Sequence, residues 1–294
     1  MVQRDPGLGV LERVTAAGAP VQRAAVLGDP IEHSLSPVLH TAAYEALGLT
    51  GWHYDRRRVG AAELAGVVAE LGQEWRGLSL TMPLKEAAFD VATEVSERAR
   101  RARSINTLVR RADGGWAADN TDVIGIHRAL GLGETELPRA TVLGAGATAR
   151  SAVVALAGTV SGSIRVAARD PRKASVALAE LSRDLPIEVC PLEEWADDPG
   201  QAVVSTLPPG GSHAVAACVR TPSDPAPVLL DVVYAGWPTP LARAATAVGW
   251  RVVGGLEMPI HQAAAQVELM TGRKARDEVV AAMRSAARTA SDDD

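Results

Sequence analysis

Short apolar runs alternate with stretches of helical period along nearly the whole chain, which is how α/β architecture with largely parallel sheets is written in sequence. Two series are legible. The first predicts a strand at Ala24 to Leu27, an amphipathic helix from Pro37 to Leu47, and strands near Trp52 to Arg58, Leu78 to Thr81 and Ile105 to Arg110. Asp113-Gly114-Gly115 then reads as a hairpin turn. The second series predicts strands at Thr141 to Leu143, Ile164 to Ala167, Ile187 to Cys190, Ala202 to Ser205, Val228 to Val233 and Arg251 to Val253, with helices between them. After Gly255 the strand signal stops, and Glu257 to Arg288 reads as two helices, broken near Thr271-Gly272, that can pack back on the first series. Residues 1–20 and 291–294 read as loosely held tails.

A chain of 294 residues favours two domains, at roughly 150 residues each. Hydrophobic content of 47% excludes a disordered protein. The 35 Asp and Glu outnumber the 30 Lys and Arg, so a net charge of −5 gives no broad attraction for nucleic acid or an anionic membrane surface. Aromatic residues, at 3%, are too few for base-stacking platforms. No apolar run approaches the roughly 18 residues of a membrane span. Met1 to Val14 carries charges where a signal peptide needs an apolar core, so a cytoplasmic protein is expected. Cys190 and Cys218 form no C-x-x-C pair and are expected to be buried thiols. The six histidines include no short chelating pair, so no metal is expected.

Thr141-Val142-Leu143 leads into Gly144-Ala145-Gly146-Ala147-Thr148-Ala149 and then a helical stretch of small apolar residues. Strand, glycine turn and helix in that order fit the dinucleotide fingerprint G-x-G-x-x-G/A. Gly144 permits the tight turn, Gly146 lets the backbone approach a pyrophosphate at the helix N-terminus, and Ala149 permits close packing of helix on strand. A plain tight turn in a chain rich in alanine and glycine is the competing reading. At the end of the next strand, Arg169 favours the 2′-phosphate of NADP, supported by Arg172 and Lys173. Asp170 argues for NAD unless it only caps the helix that Pro171 begins.

A second group of residues suits proton handling. In an extended segment, residues two apart face one way, so Ser34 and Ser36 can offer two hydroxyls to one ligand. With Pro37 at the first helical position, Ser36 is expected to be the N-cap, at an end able to receive a carboxylate. A capping serine with an idle neighbour is the plainer alternative, and His33 reads as a packed or surface histidine. Only Lys85, Lys173 and Lys274 are lysines in a chain that otherwise carries its positive charge on arginine. Lys85 follows a strand end, where α/β loops present chemistry, and its amine can act as acid or base; a surface lysine at a helix start is the alternative. Both asparagines of the chain, Asn106 and Asn120, fall near Asp119 and Asp122; this cluster reads as helix capping, yet Asp122 lies just before the second series, beside a cleft between domains.

Taken in order, these motifs resemble the shikimate dehydrogenase family from Leu27 to about Gly272. The blocks are S-x-S-P at Ser34 to Pro37, T-x-P-x-K at Thr81 to Lys85, N-T-L at Asn106 to Leu108, D-N-T-D at Asp119 to Asp122, and G-x-G-x-x-A at Gly144 to Ala149. Asp231-Val232-Val233-Tyr234 with Thr239-Pro240-Leu241, Gly255-Leu256-Glu257-Met258 and His261-Gln262-Ala263-Ala264 complete them. The resemblance implies reversible NADP-dependent reduction of 3-dehydroshikimate to shikimate, on the route to chorismate and the aromatic amino acids. It implies that Ser34 and Ser36 bind the substrate carboxylate, that Thr81, Asn106 and Gln262 meet ring hydroxyls, that Lys85 and Asp122 are the catalytic pair, and that Tyr234 lies near substrate and nicotinamide. It implies a substrate domain of residues 21–121 with 257–290 and a Rossmann domain of residues 122–256 that binds NADP through Gly144 to Ala149 and Arg169. The expected partner is the small-molecule substrate, with the chain a monomer or homodimer. This chain departs from the family in having Ser79 where Asn is common, Leu84 where an aromatic or His is common, and Ala168-Arg169-Asp170 where N-R-T or N-R-S is usual. NAD use and a quinate/shikimate dehydrogenase, or a non-catalytic shikimate-binding relative, are the alternative readings.

Overall fold

The structure, a computed structural model, describes residues 21–292 except 134, 223 and 224; the expected tail at 1–20 and the last two residues of the one at 291–294 lie outside the described residues, and the expectation is corrected at Ser291 and Asp292, which continue the last helix. The first series forms a six-stranded sheet from β1 (Gln22–Gly28), β2 (Trp52–Arg58), β3 (Trp75–Leu80), β4 (Glu94–Val95), β5 (Thr107–Arg110) and β6 (Trp116–Asp119). Its order is β2-β1-β3-β5-β6-β4. The sheet is mixed: β1 runs parallel to β2 and β3, whereas β5 and β6 form the antiparallel hairpin expected at Gly114-Gly115. The second series forms β7 (Leu137–Leu143), β8 (Val160–Ala168), β9 (Ile187–Pro191), β10 (Ala202–Ser205), β11 (Val228–Asp231) and β12 (Arg251–Val253), parallel throughout, in the order β12-β11-β10-β7-β8-β9. Numbered from its own first strand, that sheet runs 3-2-1-4-5-6, the doubly wound order whose switch point lies between β7 and β10.

In the first series, α1 (Ser36–Ala46), α2 (Leu64–Ala69), α3 (Leu84–Ala87) and α4 (Glu97–Ala102) precede α5 (Thr121–Leu130), which crosses toward the second sheet. The second sheet carries α6 (Ala147–Ala157), α7 (Pro171–Leu178), α8 (Leu181–Asp184), α9 (Ser212–Ala216) and α10 (Pro240–Ala247). The chain ends in α11 (Glu257–Thr271) and α12 (Asp277–Asp292), the two helices expected after Gly255.

Alternation along β1 gives the first sheet two cores. Ala24 and Val26 face α1, α11 and α12, meeting Leu39, Ile260, Val267 and Met283, while Ala25 and Leu27 face the opposite side with Leu64, Leu78 and Leu84. The last two helices therefore pack on the first sheet. Gly125 lets α5 cross α11 closely: a Cβ there would lie 2.7 Å from the carbonyl oxygen of Met258, closer than any side chain tolerates.

Candidate active site

The site begins where β1 and β3 end side by side. Beyond β1 the chain turns through residues 29–35 into α1, and the cap position is held by Leu35 with no side-chain capping bond, so Ser36 is already in the first turn. The expectation that Ser36 is the N-cap is corrected. Ser34 serves the helix end instead, its Oγ accepting the Ser36 N–H at 3.3 Å, because the half-turned loop brings the residue two places earlier over the first free amide. Ser34 and Ser36 are both half-buried. The Tyr54 hydroxyl reaches Ser36 and donates to Ser79 Oγ at 2.6 Å, and burial of that ring pushes its phenol well above the ordinary range.

Lys85 stands on α3, one short loop past β3, with its Nζ 2.5 Å from Asp122 Oδ2. The lysine side chain is 14% exposed and the aspartate 3%, so the pair is enclosed but open on the lysine side. Asp122 lies in the first turn of α5, where free N–H groups favour a carboxylate, and Asn120 is the cap, accepting the Val123 N–H at 3.3 Å. Asn106, fully buried, donates from Nδ2 to Asp122 Oδ1 at 2.7 Å and accepts at Oδ1 from the Thr121 N–H at 2.8 Å. One carboxylate oxygen thus faces the amide and the other the ammonium. An ammonium has three protons, so Lys85 retains donors for an oxygen in the cleft, and Asn106 retains one amide hydrogen.

Thr81 is half-buried just past β3, and its hydroxyl makes no hydrogen bond among the described residues. Tyr234 reaches across from the second sheet, donating from its hydroxyl to the carbonyl oxygen of His33 at 3.4 Å. Gln262 is half-buried on α11 against Gly125, and its amide likewise makes no hydrogen bond among the described residues. One turn later Gln266 is fully buried and reaches toward Asn106; sequence reasoning passed over it, although a polar residue inside the apolar stripe Ala263-Ala264-Ala265-Gln266-Val267 is a visible signal.

On the other side of the cleft, β7 ends at Leu143 and Gly144 takes φ +107°, a conformation that favours glycine; a Cβ there would also lie 2.6 Å from Thr206 Oγ1, at the switch point. Gly146 is the cap residue of α6 with no side-chain cap, and the space a Cβ would occupy there is open. The uncapped first-turn N–H groups and the open approach at Gly146 fit a pyrophosphate. Ala149 is fully buried, which is the close helix packing expected of a small residue there. Arg169 is exposed at the end of β8. Asp170 is the cap of α7, accepting the Lys173 N–H at 3.0 Å, and that bond holds its carboxyl below the usual range.

A cleft of about 300 Å³ joins the two halves and is lined by Thr81 and Lys85 from one and by Gly146, Ala147, Thr148 and Thr206 from the other. Arg150 fastens its base: its guanidinium donates to the carbonyl oxygens of Ala102 and Arg103 and to the Glu86 carboxylate next to Lys85, at 2.9, 3.1 and 2.5 Å. The expectation of buried thiols is corrected, since Cys190 and Cys218 are both half-exposed; each lies at the margin of the Trp195 cluster and not within it. Among the described residues no group of side chains is arranged to hold a metal ion, and no helix is long and apolar enough to cross a membrane.

Residues 26–108 match the family described as the shikimate dehydrogenase substrate binding domain, and residues 255–288 match the shikimate 5′-dehydrogenase C-terminal domain. A curated relative named shikimate dehydrogenase (NADP(+)), from Synechococcus sp. (strain JA-3-3Ab), is 36% identical over 90% of this chain and 92% of its own length. Among solved structures, shikimate dehydrogenase of Mycobacterium tuberculosis is 44% identical, with a TM-score of 0.80 over 92% of this chain and 99% of that one. The shikimate 5-dehydrogenase of Thermus thermophilus, solved in complex with NADP(H) and shikimate, is 31% identical, with a TM-score of 0.78 over 90% of this chain and all of that one.

Proposed function

The chain belongs to the shikimate dehydrogenase family, and from that membership we propose that Lys85, held by Asp122, is the proton-handling group of a reversible, NADP-dependent reduction of 3-dehydroshikimate to shikimate. The observation that carries the assignment is one cleft lined both by Lys85 and by the open glycine turn at Gly146. NADPH, when bound, supplies the hydride that reduces the ketone carbon. Gly144 to Ala149 would hold its pyrophosphate and Arg169 its 2′-phosphate.

The chain's own residues manage the rest. Lys85 gives a proton from Nζ to the ketone oxygen as that oxygen gains electrons, and Asp122 keeps the ammonium aimed while balancing its charge. In the oxidative direction neutral Lys85 takes the hydroxyl proton. Ser34 and Ser36 bind the substrate carboxylate, and Thr81, Asn106 and Gln262 meet ring hydroxyls through the free hydroxyl of Thr81, the remaining amide hydrogen of Asn106 and the uncommitted amide of Gln262. Tyr234 closes the mouth from the cofactor side through its contact with the 29–35 loop.

We divide the chain into a substrate domain, 21–121 with 257–290, and an NADP domain, 122–256, working in the cytoplasm as a monomer or homodimer. Initial rates with shikimate and with quinate, each with NADP and with NAD, test the function. The expected result is highest efficiency with shikimate and NADP; higher efficiency with quinate and NAD would replace this reading by a quinate/shikimate dehydrogenase.

A further inference from the structure

Gln266 is the one glutamine of α11 with no solvent exposure, and a buried amide must place all four of its hydrogen-bonding positions. Its Nε2 donates to the backbone carbonyl of Asn106 at 3.2 Å and to Thr107 Oγ1 at 2.9 Å. A carbonyl can only accept, so this fixes which way the amide faces. Oε1 is then turned to Ser79 Oγ at 2.8 Å and His40 Nε2 at 3.2 Å, and both must donate to it. His40 is able to do so as the neutral Nε2–H tautomer, since burial lowers its pKa to about 3 and its ring is stacked on Tyr54 at 3.9 Å.

These constraints propagate in one direction. Ser79 has one proton and gives it to Gln266, so it receives the Tyr54 hydroxyl, which also reaches Ser36. Thr107 accepts from Gln266 and gives its own proton to Asn106 Oδ1 at 2.8 Å. With its oxygen so engaged, Asn106 turns its amide nitrogen to Asp122, whose other oxygen takes Lys85. From Tyr54 to Asn106 every donor points toward the Asp122 carboxylate.

We propose that Gln266 is a positioning residue for the reaction, the fixed-polarity link in a hydrogen-bond chain that runs from Tyr54, beside Ser36, through Ser79, Thr107 and Asn106 to the alignment of Lys85 by Asp122. This rests on the roles given above to Ser36 and Lys85. Gln266 touches none of the reacting atoms; it acts through Thr107 and Asn106.

The test is steady-state kinetics with shikimate and NADP on the full chain, with the folded fraction measured for each variant. Gln266→Met keeps the length and removes the polarity; its kcat should fall on the order of ten- to a hundredfold, as expected when a reacting group loses alignment, with KM for NADP unchanged within about twofold. Tyr54→Phe should raise KM for shikimate and lower kcat. In the double variant the kcat losses should not multiply, because both changes break one chain. Should Gln266→Met fail to fold, Thr107→Val removes the next hydroxyl at constant volume and should show the same kcat loss, while Thr107→Ser restores it. Wild-type kcat in folded Gln266→Met or Thr107→Val, or losses that multiply fully in the double variant, overturns the proposal. Its failure is separable from failure of the Lys85 assignment, which falls if Lys85→Ala or Lys85→Arg itself retains turnover.

Discussion

Two lysine–aspartate pairs, one beside the cleft between the two sheets and one on the surface next to the second sheet, use the same side chains and differ in everything around them. Lys85 and Asp122 are 37 residues apart, 2.5 Å from contact atom to contact atom, and 14% and 3% exposed. Lys173 and Asp170 are three residues apart on one turn of helix, 3.6 Å apart, and 88% and 48% exposed. In the exposed pair, water and salt screen the charges, such pairs are worth about 0–1 kcal/mol, and what matters about Asp170 is the backbone amide it caps. In the enclosed pair the charges meet where water is scarce, and Asn106 and the α5 N-terminus fix the geometry, so the same two groups are held in the arrangement that the proposed proton transfer requires. Chemistry belongs to the surroundings as much as to the residue type.

The sharpest way to break the contrast is to delete each lysine. Lys85→Ala should lower kcat roughly 100- to 10,000-fold with the fold intact, whereas Lys173→Ala should leave kcat with shikimate within about twofold of wild type. Lys85→Arg should be almost as damaging as Lys85→Ala, since arginine keeps the charge but does not release a proton at working pH. Near-normal turnover in the arginine variant would make Lys85 an electrostatic anchor.

Next in size is Arg169→Ala, which on the proposed 2′-phosphate role removes a charge-assisted contact worth about 1.5–3 kcal/mol and should weaken NADP binding accordingly while leaving NAD binding unchanged. Fluorescence titration with both dinucleotides measures the ratio. Ser34→Ala and Ser36→Ala should each raise KM for shikimate by the equivalent of roughly 1–1.5 kcal/mol, with KM for NADP unmoved. The structure adds a distinction: Ser36 caps nothing, so Ser36→Ala should keep the wild-type melting temperature, whereas Ser34→Ala deprives the Ser36 N–H of its acceptor and should lower it slightly.

The smallest effect belongs to the exposed pair. Asp170→Ser exchanges one good helix cap for another, so NADP affinity and the melting temperature at pH 7 should barely change. The Asp170 carboxyl titrates below its unfolded value of about 3.9, so its contribution is present above that pH and is lost as pH falls through the folded value. The serine variant should lack that acid-side loss. Markedly improved NADP binding in Asp170→Ser would instead show that this carboxylate repels the 2′-phosphate.

The comparison also marks what sequence can carry. The strands of the second sheet were legible because parallel strands are buried on both faces and read as unbroken apolar runs, and Gly144 because its conformation excludes other residues. The two-residue strand β4 left no period to detect. The cap of α1 went to the wrong residue because Ser34 and Ser36 are equally good capping types, and only the course of the loop decides between them. Gln266 stands out as a polar residue in an apolar stripe, but its partners, like those of Arg150, were illegible for a different reason. Their partners are 187 and 160 residues away for Gln266, and 64 and 48 for Arg150, and no spacing rule connects such positions before the chain has folded.

The placement of α11 and α12 on the first sheet governs the order in which a ribosome-bound chain can mature. Ala24, Val26 and Leu39 find apolar neighbours among Ile260, Val267 and Met283, so this side of the earliest-made sheet has only α1 over it until α11 and α12 emerge. The parallel sheet, contiguous from Leu137 to Val253, draws only Met258 into its core from the described residues that follow it. Synthesis at about 5–20 residues per second separates the first-made strands from these two helices by roughly tens of seconds.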